Sequence, residues 1–174
     1  METRRLLYQV NQQIMTTYQA PWGTTLKMVS ALLVVLALAS LVGAPFLAGN
    51  IPGVSLHLAQ WLLPVIVLSC LPFMVLGYEI TDDAILVKRP LWKTRLARNG
   101  FTSAEVVPGA MDKCLRVCGN GGGFSFTGWF WSKSLGSFTA YVTNNECTVV
   151  LKFGKKTVVV SPDRPLDFVK DLSA

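Results

Sequence analysis

From Met28 to Tyr78 the chain runs for 51 residues without an Asp, Glu, Lys or Arg. A surface helix of a soluble domain carries a polar face, and a half-exposed strand alternates, so a soluble fold hardly accommodates this stretch. Two apolar runs fill it: Met28–Ala48, 21 residues, and Val54–Tyr78, 25 residues. A helix crosses roughly 30 Å of hydrocarbon with about 20 residues, so each run is long enough. Backbone in lipid must satisfy its own hydrogen bonds, which leaves helices as the form for both runs. Gly49, Asn50, Ile51, Pro52 and Gly53 between them predict a tight turn. Two other readings stay open. One is a buried helical pair in a soluble bundle. The other is a shallow re-entrant second run, for which Pro64 and Pro72 supply kink points.

The resulting division is an N-terminal segment 1–27, transmembrane helix 28–48, an external turn 49–53, transmembrane helix 54–78 and a polar domain 79–174. Segment 1–27 is too long for a signal-peptide n-region, and a second apolar run follows, so a retained N-terminus is expected. Arg4, Arg5 and Lys27 precede the first run, five basic residues (Lys88, Arg89, Lys93, Arg95, Arg98) follow the second, and the turn carries no charge. The positive-inside rule then puts both termini in the cytoplasm of a multi-pass inner (plasma) membrane protein. Trp22 and Trp61 suit headgroup anchors. Leu7, Val10 and Ile14 have helical spacing, which fits either a short interfacial helix or a frayed tail.

The polar domain holds 13 basic and 9 acidic side chains, a net +4. Short alternating runs separated by Asp82-Asp83, Asn99-Gly100, Asn144-Asn145 and Gly154-Lys155 predict about seven strands in an antiparallel barrel or sandwich. Cys114–Cys118 is one expected strand. Phe124–Trp131 with Gly136–Thr143 is an expected hairpin. Ser161 as a cap, Pro162 in the first turn and Asp163 beside it predict a C-terminal α-helix that closes the open end of the barrel.

Particular residues resemble a known group. Gly77–Asp83 (GYEITDD), Gly121–Asn144 (GGGFSFTGWFWSKSLGSFTAYVTN) and Val149–Val169 (VVLKFGKKTVVVSPDRPLDFV) are similar to the bacterial membrane-flanked pleckstrin-homology-like (PH-like) domain proteins. The resemblance covers the polar domain, and the two helices before it agree with the group's layout. It implies an all-β PH-like barrel with a capping helix and a membrane location. It also implies an oligomerising or protein-binding role in place of phosphoinositide reading, with no catalytic residues to carry over.

Candidate sites follow from charge and period. Lys88, Arg89, Lys93, Arg95 and Arg98 lie close after the second helix and are candidates for anionic lipid contact, each contributing about 1 kcal/mol near a charged leaflet. The competing reading is a topology signal on a solvated strand pair. Trp129 and Trp131 share one face of an aromatic strand whose other face carries Phe124, Phe126 and Phe130, so the tryptophans are candidates for a partner, a second subunit or the bilayer. The glycines Gly119, Gly121, Gly122 and Gly123 lack the Gly-Lys-Ser/Thr ending of a phosphate loop, and they read as a flexible link or a close approach of backbones. Cys114 and Cys118 read as one face of a strand, and Cys70, Cys114, Cys118 and Cys147 as buried packing. No metal site is expected from their spacing, with His57 the one histidine. Nor does the sequence pair a nucleophile with a base. Ser30, Ser40, Gly43 and Ser69 suit helix association.

The expectation is therefore a cofactor-free, non-enzymatic module that holds a binding or assembly surface at the membrane. Its partners are the lipid bilayer and a second copy of itself or another membrane protein. An anionic-lipid sensor and an accessory subunit of a transporter or lipid enzyme are the alternatives. Nucleic acid is not an expected partner, given the modest charge beside the bilayer.

Overall fold

A computed structural model describes residues 16–47 and 56–173. The first element, β1 (Thr16–Gln19), pairs antiparallel with β2 (Gly77–Ile80), Tyr18 opposite Tyr78. Between these paired strands the chain departs into α1 (Thr24–Leu47) and α2 (Leu56–Cys70), then returns through a single 3-10 turn, Leu71–Phe73. The segment expected as a tail or interfacial helix thus contributes an edge strand. Thr16, Thr17 and Tyr18 are β-branched or aromatic, which suits a pleated surface. Leu7, Val10 and Ile14, the turn 49–53 and the side chain of His57 lie outside the described residues.

Both helices differ in extent from the apolar runs. The first starts at Thr24, before Lys27, where Pro21 and Gly23 end the extended segment. The second run is not one long helix. Pro72 stops α2, and Gly77–Ile80 has become β2. The two helices pack on one another: Ser40 Oγ lies 2.7 Å from Ala37 O and 3.3 Å from Gln60 O, and Gln60 Nε2 donates to Leu41 O at 3.1 Å.

After β2 come β3 (Ala84–Lys88), β4 (Lys93–Ala97), β5 (Phe101–Val106), β6 (Leu115–Gly121), β7 (Phe126–Ser132), β8 (Gly136–Val142), β9 (Val149–Phe153) and β10 (Lys156–Val160). That makes nine strands after the helices where about seven were expected. One sheet has the order β1-β2-β3-β4 and the other β5-β9-β10-β8-β7-β6. The second sheet is not wholly antiparallel. From β8 the chain skips a position to β9, and β10 then fills the gap parallel to β8.

The two sheets and the last helix, α3 (Pro165–Ser173), enclose a core of Tyr18, Tyr78, Ile85, Val87, Val149, Leu151, Val158, Val160, Phe168 and Leu172. The Tyr18 and Phe168 rings meet edge-on at 5.0 Å. Val150, Val159, Ala140, Val142, Phe130 and Phe138 face the other way, into a second core covered by Ala110, Met111 and Cys114. Both faces of β9 and β10 are covered, which is why these strands read as unbroken apolar runs.

Ser161 does not cap a helix. It is fully buried, and its hydroxyl accepts from Thr143 N at 2.8 Å, while its own N–H donates to Tyr78 Oη at 3.0 Å. The helix begins later, with Pro165 in its first position and Phe168 N donating to Arg164 O. Asp163 exchanges bonds with the backbone of Gln19 on β1. The cysteine expectation also changes. Cys114 precedes β6 and packs on the second core, whereas Cys118 is exposed, because a bulge between Arg116 and Cys118 breaks the alternation.

Candidate membrane-proximal binding surface

The helices α1 and α2 bury little of their apolar surface. Met28, Leu32, Val35, Leu38 and Val42 of α1 and Trp61, Leu62, Val65, Ile66 and Leu68 of α2 are exposed. Contiguous apolar patches of this extent mark a membrane or protein contact. By length and composition α1 is apolar enough to cross a membrane over Thr24–Gly43, with mean hydropathy 2.3, and Gln60–Phe73 is a shorter apolar helix.

The turn between β6 and β7 plugs the base of the helix pair. Ser30 Oγ lies 3.4 Å from Gly122 O and accepts from Phe124 N at 3.1 Å. Phe124 packs with Ala37, Val67 and Trp22, so Trp22 faces this ring. The glycine run therefore serves the close approach of backbones and not a free link. It lets the turn approach Val29 and Cys70 closely, and Phe124 itself takes a left-handed conformation with φ 67°.

The five candidate cations do not form one patch. Glu79 is nearly buried on the outer face of the first sheet, and Lys88 Nζ and Lys93 Nζ reach its carboxylate at 3.1 and 2.7 Å. Burial opposes its charge, but the two lysines prevail and hold the carboxyl below its ordinary range. Arg95 pairs with exposed Asp83, whose carboxyl is held low by the Thr81 hydroxyl and then by Arg95. Arg98 donates to Leu172 O at 2.8 Å, where a cation complements the C-terminal end of α3.

Arg89 differs from its neighbours. Its guanidinium sits 5.9, 5.6 and 5.2 Å from the ring centroids of Phe73, Trp92 and Tyr141. One Nη lies 3.5 Å from Phe73 O, and the buried Nε has no hydrogen-bond partner among the described residues. Burial lowers the pKa of this guanidinium, and its positive charge in turn opposes the rise that burial gives the Tyr141 phenol. The side chain faces a cavity of about 560 Å³ that Cys70, Phe73, Trp92, Trp129 and Tyr141 also line. Nothing in the sequence distinguishes Arg89 from Lys88; only the Arg89–Trp92 turn, closed by Arg89 N to Trp92 O, turns it toward the rings.

Trp129 and Trp131 are 66% and 40% exposed, while Phe130 between them is buried. They lie on β7, the last strand but one of the second sheet. Beside them, Leu115 and Val117 are exposed on β6, which ends the sheet order. A second cleft, of about 900 Å³, opens at the start of α1 between Thr24, Met111, Arg116, Asn145 and Glu146. No group of three or more metal-ligating side chains comes together among the described residues.

The family model of the bacterial PH domain matches residues 76–174. The chain belongs to the bacterial PH domain family. PH-like domains are in general non-catalytic binding modules, and the match begins at the turn into β2, so it leaves out β1, which completes the first sheet of this PH domain from across the helices. No curated protein and no solved structure matches the chain.

Proposed function

We propose that this PH protein is a membrane-anchored binding and assembly module. In this reading α1 and α2 cross the inner membrane as a hairpin and present the PH domain in the cytoplasm. The observation that carries the anchoring is the register of β1 on β2. Gln19 and Gly77 are partners in one sheet, so a chain that leaves through α1 must come back through α2 to the same side. Helix α2 and its 3-10 turn extend about 28 Å at ordinary rises, close to the hydrocarbon thickness. The exposed apolar faces of both helices then meet lipid.

The assembly reading rests on Trp129, Trp131, Leu115 and Val117, an apolar face beside a strand edge. Exposed edges and aromatic patches are what sheet-mediated association uses. The lipid-sensing alternative through the whole stretch from Lys88 to Arg98 is less favoured, since Lys88, Lys93 and Arg95 already have carboxylate partners.

Native mass in lipid nanodiscs tests the reading. A discrete multiple of 19.0 kDa is expected, falling to a single copy in Trp129→Ser or Trp131→Ser. A wild-type monomer would remove self-assembly. A single copy with a stoichiometric membrane partner would favour the accessory-subunit alternative.

A further inference from the structure

The cavity beside Arg89 has a composition that its position alone does not require. Aromatic residues line it together with Ser69, Asn120, Thr127 and Thr139, no Asp or Glu among the described residues lines it, and one guanidinium faces it. The three rings offer π-faces to that cation, and the neutral acceptors beside it are the Tyr141 hydroxyl and, at 3.5 Å, Phe73 O. A buried donor left without a partner is expensive, and Arg89 Nε is one. The nearby carboxylate of Glu79 is held by Lys88 and Lys93 and does not serve Arg89. Among the described residues no carboxylate pairs with Arg89, and the oxygens of a phosphate or carboxylate are what match the planar fork of a guanidinium.

The direction from which this acceptor arrives is set by α2. The cavity is bounded by Ser69, Cys70 and Phe73, where α2 ends, and Ile66 and Leu62, one and two helical turns before Ser69, are exposed apolar residues of the same helix. Trp92 and Trp129 both line the cavity and are exposed, and amphipathic rings of this kind are enriched at membrane interfaces. A volume of about 560 Å³ admits a headgroup and the start of its chains, but no folded partner.

We infer that this cavity seats one anionic phospholipid of the adjacent leaflet, with its phosphate on the Arg89 guanidinium and its chains along α2. The inference rests on the reading of α1 and α2 as a membrane hairpin. It differs from charge-based docking of the whole basic stretch in assigning recognition to a single arginine. A zwitterionic choline lipid fits poorly, because its ammonium would share the cage with the guanidinium. Occupancy would link the α2 end, the β3–β4 turn and the β7–β8 face through one ligand.

The test uses the full chain in mild detergent. Its thermal midpoint is followed with dihexanoyl phosphatidylglycerol, dihexanoyl phosphatidylcholine and inorganic phosphate at equal concentration. A ligand that binds only the folded state raises the midpoint. The expected result is a rise with the anionic phosphatidylglycerol, and little or none with the other two. In nanodiscs of mixed composition, native mass spectrometry should find the anionic lipid retained. Arg89→Gln should reduce retention by about tenfold or more, the usual effect of losing a charge-assisted pair, and Arg95→Gln should leave it unchanged. Equal rises with both lipids, or no rise, overturn the inference. An equal rise with inorganic phosphate makes this an anion site without a lipid, and overturns it too. So does undiminished retention in Arg89→Gln. Should that variant not fold, the wild-type comparison of the three ligands decides. Failure of the wild-type chain to enter nanodiscs would overturn the hairpin reading and this one together. Entry without lipid selectivity overturns this one alone.

Discussion

The hydroxyl of Ser40 on α1 lies 3.3 Å from the carbonyl of Gln60 on α2. That carbonyl is the one Pro64 leaves without a helical donor, since a proline four residues on has no N–H. The Ser40 hydrogen, shared with Ala37 O at 2.7 Å, is the side-chain donor the structure offers it. Neighbouring helices commonly re-satisfy groups that proline frees inside a membrane.

Ser40→Ala should therefore lower the stability of the folded chain in detergent by about 0.5–1.7 kcal/mol, the range measured for such bonds between membrane helices. Pro64→Ala restores the donor at residue 64. In that background Ser40→Ala should have a clearly smaller effect. Equal effects in both backgrounds would show that the proximity of Ser40 and Gln60 carries no energy.

Stability should fall at both ends of the pH range, for different residues. The Glu79 carboxyl is held below its ordinary value of 4.5 in the fold. Near that value the unfolded chain binds more protons than the folded one. The contribution of Glu79 is thus complete above the unfolded pKa and lost as pH falls through the lower folded one. Tyr78 is opposite in sign. Burial pushes its phenol from 10.0 up to about 12. Its contribution is complete below 10 and lost as pH rises toward 12. Denaturant melts across pH should show Glu79→Gln flattening the acid limb and Tyr78→Phe flattening the alkaline one. A variant that shifts the whole curve without changing its slope would refute the assignment for that residue.

Much of the second half was legible because its signals are local. The Gly154-Lys155 turn, the β9–β10 hairpin and the alternation that exposes Trp129 and Trp131 all follow from a few adjacent residues. What was not legible depends on distant partners. Tyr18 becomes a strand residue only because Tyr78 arrives beside it after the helices. Ser161 and Asp163 have the chemistry of helix caps, yet Thr143, Tyr78 and Gln19 claim their hydrogen bonds first. Lys88 and Arg89 are adjacent and similar in charge, and the turn after β3 sends one to Glu79 and the other to the rings. The five candidate cations could for this reason be named from the sequence, but not which of them the fold pairs with carboxylates.

Gly119 and Gly128 face each other across β6 and β7, with φ of 122° and 135°. A Cβ on Gly119 would run into Thr127 O, and one on Gly128 into Cys118 O. Backbone atoms cannot yield as a flexible side chain does. Either glycine changed to alanine should destabilise the protein by about 2 kcal/mol or more, combining left-handed strain with a steric clash. Gly43→Ala is the contrasting case. Gly43 is helical and, among the described residues, has nothing within 4 Å of its missing Cβ, so alanine there should be neutral or stabilising by up to about 1 kcal/mol. Thermal unfolding of the three variants gives the order directly, and a Gly119→Ala protein as stable as Gly43→Ala would remove the close approach.

The pairing of β1 with β2 also makes a prediction about sidedness. Thr16 is opposite Ile80 and Gln19 opposite Gly77, with Thr143 Oγ1 donating to Pro21 O at 2.9 Å just beyond. Two segments held in one sheet cannot lie on opposite faces of a bilayer. A tag placed before Thr16 and a tag placed after α3 must therefore be accessible from the same side. On the proposed reading, in which the basic residues stay inside, that side is the cytoplasm, where exposed Cys118 would also lie. Intact spheroplasts treated with an impermeant maleimide should leave Cys118 unlabelled, and lysis should expose it together with both tags. Labelling of Cys118 and both tags in intact cells would invert the orientation and keep the fold. Tags on opposite sides would mean that only one of α1 and α2 crosses, and β1 could then not complete the sheet of this PH domain.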